Sequence, residues 1–187
     1  MTPEQKLALK NDIVTKQASG QPLFGITSET LIAAYYNADS ALKAWRTEVS
    51  TKTIRAAITF SSYTPNDAAD NTATFTNRAL LAQTKQINLQ IMLQGLESVD
   101  MSLPQARADL RDAVIQLPTG VGGAMASAGG AGGVNTLNAC TRLATVAELL
   151  LAAPVIASDT TGPVTARVLT WQGKLDEQLV SDIVGGR

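Results

Sequence analysis

Apolar residues recur along most of this chain at spacings of three and four, the period of a helix with one buried face. From Pro3 to about Gln17, Leu7, Leu9, Ile13 and Val14 supply the apolar positions and Lys6, Lys10, Asp12 and Lys16 the wet ones. Thr2 followed three residues later by Gln5 has capping-box spacing, and Pro3 suits a first turn. Ser19-Gly20-Gln21-Pro22 breaks this helix. Thr27 or Ser28 opens a second one from Glu29 to Ala38, with Leu31, Ile32, Tyr35 and Tyr36 as its buried face. The pattern predicts a short helical segment from Ser40 through Trp45, and another, capped by Ser50 or Thr51, carrying Ile54, Ala57 and Ile58. Ser61 to Thr74 contains two turn clusters and reads as a surface loop with room for one helical turn.

The longest helical pattern runs from about Thr76 to Glu97 and carries two apolar faces. At about 100° per residue, Leu81, Leu89, Met92, Leu93 and Leu96 fall on one side and Leu80, Ile87 and Ile91 on another. Gln83, Gln86, Gln90, Gln94 and Glu97 form a polar line between them. Either this is a central helix with a solvated glutamine strip, or one apolar face and the glutamine line meet another subunit. Amides donate and accept across such a seam without the desolvation cost of buried ions.

Ser102, Pro104 and Gln105 signal a further helix whose inner stripe is Ala106, Leu110, Ala113, Val114 and Leu117, with Arg107, Asp109, Arg111 and Asp112 as a solvated face. Asn135 or Thr136 begins a helix to about Ala152, with Leu137, Cys140, Ala144, Ala147 and Leu151 as a narrow seam. Val164 to Trp171 reads as a strand, paired with Val155 to Ala157, with a distant segment, or with another copy. A short helix carrying Leu175, Leu179, Ile183 and Val184 follows.

Between the two halves lies PTGVGGAMASAGGAGGV, Pro118 to Val134, in which seven of the residues from Gly120 to Gly133 are glycine and four are alanine. Such a stretch has little to bury and much backbone entropy to lose, so it is a connector or a place of close backbone approach. It matches neither a Walker loop nor a strand followed by GxGxxG. The expected architecture is mainly α. A helical bundle (1–117) is joined by the Gly/Ala-rich segment (118–134) to a C-terminal helix, strand and short helix (135–187) packed on the first part.

Composition narrows the chemistry. Of 187 residues, 45% are hydrophobic and only 17% charged, and 15 basic against 16 acidic residues leave a net charge of −1. A low-charge surface favours association, and no basic cluster marks a nucleic-acid binder. There is no histidine and one cysteine, Cys140, which removes Ser-His-Asp and Cys-His arrangements and an ordinary zinc site. Asp109 with Asp112 is a routine helical pair, and Cys140 reads as a small core residue. No catalytic residue, cofactor or metal is expected. The amino terminus lacks a signal-peptide pattern and no apolar run approaches a membrane span, so a cytosol-like compartment and no membrane partner are expected.

With Leu7 to Ile13 (LALKNDI), Ala33 to Asn37 (AAYYN), Ala44-Trp45, Leu137 to Arg142 (LNACTR) and Arg167 to Gly173 (RVLTWQG) in view, the chain resembles a family of small tailed-bacteriophage virion structural proteins. The resemblance spans most of the chain, and its motifs carry no known chemistry. It implies a non-enzymatic virion part made in the host cytoplasm, and among such parts a head-to-tail adaptor or neck ring fits best. Its partners would be further copies of itself, the portal, and tail or other virion proteins. Packaged DNA would lie close by without being read. The candidate subunit interface is Leu80, Ile87 and Ile91 with Gln83, Gln86, Gln90 and Gln94, together with Val164, Val168 and Trp171 of the strand. A capsid decoration protein or other tail component is the alternative, and a small cytosolic enzyme or nucleotide-binding module the remoter one.

Overall fold

A computed structural model describes residues 1–20, 28–64, 73–115, 117–118, 125–126, 133–152, 156–159 and 164–185. The first elements are α1 (Pro3–Ala18), α2 (Glu29–Asn37), β1 (Asp39–Trp45), β2 (Val49–Ser50), α3 (Thr51–Ala56) and a 3-10 turn (Phe60–Tyr63). Then come α4 (Ala73–Leu93), β3 (Ser98–Val99), α5 (Pro104–Val114), β4 (Leu117–Pro118) and β5 (Met125–Ala126). The chain continues through α6 (Val134–Ala139), β6 (Thr141–Thr145), α7 (Val146–Leu151), β7 (Ile156–Asp159), β8 (Ala166–Val168) and α8 (Glu177–Val184).

The expected helical bundle is overturned. A four-stranded sheet in the order β6-β1-β8-β7 and two two-stranded pairs, β2-β3 and β4-β5, accompany the helices, so the fold mixes α and β. In the sheet β1 and β8 run parallel, with Ala44 opposite Arg167. Residues 40–45, expected to be helical, are therefore extended. Their weak local preference yields to pairing with a strand more than 100 residues away, which no local window contains. The helix expected from 135 to 152 is likewise broken: α6 stops at Ala139, β6 intervenes, and α7 restarts at Val146. Thr145 restarts it by accepting from the Glu148 amide while the Glu148 carboxylate accepts from the Thr145 amide, a complete capping box. The strand expected over Val164 to Trp171 is confined to Ala166–Val168.

The chain divides into two compact units. The first comprises 1–44, 143–157 and 167–187. Its core joins Leu9 and Ile13 of α1, Ile32, Ala33 and Tyr36 of α2, Ala147 and Leu151 of α7, and Leu175, Val180 and Ile183 at α8. A smaller cluster gathers Ala44, Ala144, Ala152 and Leu169. Here α1 starts as its sequence dictates, with Thr2 and Gln5 bonded reciprocally, and Gln5 also donates to the Leu151 carbonyl at 3.1 Å.

The second unit comprises 45–142 and 158–166. In it α4 packs on α5, on the 3-10 turn and on β4, while α6 packs on α3 and α5. Ser50 caps α3 by accepting from the Thr53 amide. Tyr63 donates from its hydroxyl to the Ala113 carbonyl at 2.9 Å and Thr136 to the Ala57 carbonyl at 3.2 Å. The expected solvated face of α5 is corrected at one position, because Arg107 is only 1% exposed. Its guanidinium lies 5.2 Å from the centroid of the buried Trp45 ring and donates to the Met101 carbonyl at 2.7 Å. A planar, weakly hydrated cation against an aromatic face tolerates such burial.

Candidate interaction surface

On α4 the buried positions are Ala82, Lys85, Leu89 and Leu93, spaced three, four and four, and these turn one side of the helix inward. Lys85 reaches the core side because its ammonium is received by the Asp112 carbonyl at 2.6 Å and the Asp112 carboxylate at 3.1 Å. Its methylene stem is covered and its charge is answered.

On the opposite side lie Leu80, Ile87 and Ile91, at 55%, 52% and 64% exposure, with Leu81 at 41%. The first three fall within about 40° of one another and about 180° from the buried side. Gln83, Gln90 and Gln94 are exposed along one flank of this stripe and Gln86 is half-buried nearer the core. Of the first expected apolar face, Leu89 and Leu93 serve the core, Met92 is half-buried, and Leu81 and Leu96 are exposed, while the second face, Leu80, Ile87 and Ile91, is uncovered within the chain.

The strand part of the expected interface is different. Val164 is 3% exposed and Val168 and Trp171 are half-buried. Trp171 packs on the core of the first unit. Both neighbours of β8 come from the same chain, β1 from far upstream and β7 from nearby. Most of the Gly/Ala-rich segment falls outside the described residues. Within it β4 pairs with β5, and Gly133 takes φ +76° ahead of α6.

On the flank of α4 away from the glutamines, Asn88, Ile91 and Met92 line a cleft of ≈ 460 Å³ with Asp109 and Asp112 of α5. On the glutamine side, Gln90, Leu89 and Leu93 line a second cleft of ≈ 340 Å³ with Arg55 and Phe60. The sequence reading gave Asp109 and Asp112 no role, and nothing in their spacing distinguished them from an ordinary wet face.

The residue types with chemical potential are held in structural contacts. Cys140 is buried and donates to the Thr136 carbonyl, and burial pushes its thiol up to about 12. Tyr36, from the AAYYN segment, donates to Asp12 of the LKNDI segment at 2.6 Å, and Asp12 also pairs with Lys16. Burial first, then this hydrogen bond, raises the Tyr36 hydroxyl far above its ordinary value. Asn37 donates to the Leu175 carbonyl and accepts from its amide, while Gly173 donates to the buried Glu148 carboxylate. Among the described residues no group of three His, Cys, Asp or Glu side chains is placed to hold a metal ion. Among those residues, too, no helix is long and apolar enough to cross a membrane. Comparison with protein-family models, curated proteins and solved structures yields no match.

Proposed function

We propose that this chain is a non-enzymatic structural protein of a tailed-bacteriophage virion, a self-associating subunit of the head-to-tail adaptor, or neck, ring. The observation that carries the proposal is the uncovered stripe of Leu80, Ile87 and Ile91 beside Gln83, Gln90 and Gln94, on a helix whose other side already has its core. The likeness of LALKNDI, AAYYN, LNACTR and RVLTWQG to virion proteins supplies the setting, with the portal and tail as neighbours. In this reading the chain is made in the host cytoplasm and ends in the virion.

A fully buried Leu or Ile contributes about 1.5–3 kcal/mol, so three half-exposed ones offer about 3 kcal/mol on being covered. Association costs about 4–15 kcal/mol in lost freedom, so the stripe alone does not hold a dimer together. The partner side chains that cover the stripe are buried in the same contact, and hydrogen bonds from the glutamine amides add to it, and these supply the difference.

Ile87→Asp tests this. Ile87 is half exposed, so the variant is expected to keep the far-UV circular dichroism and melting temperature of the wild type while losing assembly in light scattering and negative-stain images. Unfolding of the isolated variant would return that face to the internal core. Normal assembly, or a wild-type chain that neither assembles nor joins portal or tail, would remove the adaptor reading. Coating of the capsid instead would make it a decoration protein.

A further inference from the structure

The α4 stripe has a counterpart elsewhere on the chain. On α1, Leu9 and Ile13 enter the core, whereas Leu7 and Val14 are 57% and 53% exposed, and Asn11 and Ala18 between and beyond them are exposed too. At about 100° per residue these four lie within about 60° of one another, a second narrow outward stripe with spacings of four, three and four. Leu80, Thr84, Ile87 and Ile91 on α4 have spacings of four, three and four as well, and Thr84 is exposed. Two helices with such stripes pack along their lengths by ridges and grooves.

Charge makes the pairing directional. Lys10 and Lys6 flank the α1 stripe on one side, and neither forms an ion pair among the described residues. Beside Ile91, the cleft toward α5 is lined by Asp109 and Asp112. The Asp112 side chain is 69% exposed and its charge is shared with Lys85, while among the described residues Asp109 is met only by the neutral Gln105 amide at 2.6 Å. Arg111 projects about 100–160° away from both carboxylates around α5, so it does not cancel them. An apolar stripe with an acidic border thus has the chemistry to receive an apolar stripe with a basic border.

We infer that the partner of the α4 stripe is α1 of a second copy of this chain, with Leu7 and Val14 against Leu80, Ile87 and Ile91, and Lys10 and Lys6 toward Asp109 and Asp112. This rests on the self-association proposed above and specifies its form. The two surfaces are different patches of one molecule, so the contact is heterologous. Each copy offers one of each, and repetition closes a ring or extends a filament instead of stopping at a symmetric dimer.

A complementation experiment reads this out. Ile87→Asp disables the α4 patch and Val14→Asp the α1 patch, both at exposed positions, and far-UV circular dichroism checks that each variant is folded. Each alone is expected to remain near the chain mass of 19.6 kDa in light scattering while the wild type assembles. Mixed in equal amounts, they retain one good patch each and should give a species of about 39 kDa, twice 19.6 kDa, and nothing larger. Val14→Asp that assembles like the wild type while Ile87→Asp does not would overturn the α1 assignment and leave self-association standing. Two silent variants that stay monomeric on mixing would also overturn it. A wild type that stays monomeric at every accessible concentration would bring down both this inference and the reading beneath it. Lys10→Glu should weaken assembly about tenfold or more and Asp109→Lys in the same chain should restore it. Failure of that rescue would remove the charge pairing.

Discussion

Replacing Arg107 probes the core of the second unit at its least expected residue. Arg107→Ala removes a charge-assisted hydrogen bond to the Met101 carbonyl, worth about 1.5–3 kcal/mol, and a desolvated cation–π contact with Trp45, worth about 2 kcal/mol. Loss of the buried stem adds about 0.8 kcal/mol per methylene. Against this, the guanidinium no longer has to leave water, which returns several kcal/mol. The balance is a loss of about 3 kcal/mol. Arg107→Met keeps most of the volume, places a polarizable sulfur near the indole and has no charge to desolvate, so its expected cost is about 1 kcal/mol. Urea unfolding read by fluorescence separates the two. Trp45 belongs to the second unit and Trp171 to the first, so a Trp171→Phe background leaves Trp45 as the reporter. For a chain of this size the alanine variant should melt about 6–12 °C lower. An alanine variant within about 0.5 kcal/mol of wild type would refute the assigned contacts. Methionine as costly as alanine would show that packing against Trp45 contributes little.

At Gly133, φ is +76° and an added Cβ would stand 2.8 Å from Val114 Cγ2 and 3.3 Å from Ile115 Cγ2. Gly133→Ala should therefore cost about 1–2 kcal/mol or more in denaturant midpoint, and an unchanged midpoint would contradict that backbone. Alkaline pH should destabilise the chain. Burial pushes both the Cys140 thiol and the Tyr63 hydroxyl up to about 12, so above about pH 9 the unfolded chain sheds protons that the folded one keeps. Stability is then flat below about pH 9 and falls toward about pH 12, and Cys140→Ala should lessen the fall. A midpoint that holds constant over that range would rule the effect out, as would rapid alkylation of folded Cys140 near neutral pH.

What could be read in the sequence was what short range decides. The Thr2 cap of α1, a cap at Ser50 or Thr51 for α3 and the inward positions Leu89 and Leu93 follow from spacing alone, whereas the single apolar face read on α1 is corrected, since Leu9 and Ile13 turn inward and Leu7 and Val14 outward. The separation of Leu80, Ile87 and Ile91 from Leu89 and Leu93 is legible too, but which of the two faces turns outward is not, because that depends on what packs against the helix. The seam Leu137, Cys140, Ala144, Ala147 and Leu151 is buried throughout, although a strand interrupts the helix that its spacing implied. That interruption had a signal in the Thr145-x-x-Glu148 capping pattern, which marks a new helix start. The strand at 39–45 had none, since its partners, β6 and β8, lie about 100 residues or more downstream. Arg107 reads as a solvent-facing charge until Trp45 is brought beside it, and nothing in the sequence singles out Lys85 until the Asp112 carbonyl receives its ammonium. Burial of that kind depends on tertiary neighbours and leaves no periodic trace.

The composition of the first unit from three separated stretches sets an order of events during synthesis. Leu175, Val180 and Ile183 belong to the same cluster as Leu9 and Ile13, so that cluster is incomplete until the last stretch has left the ribosome. Most of the second unit, 45–142, has emerged by then and can condense first. Until then, the apolar side of α1 that faces the core has no lasting cover. If Leu7 and Val14 join two copies, assembly competence is conferred only on chains that carry α8. A ribosome that stalls before α8 would release a chain unable to present α1 properly, and such a chain would not join others through it.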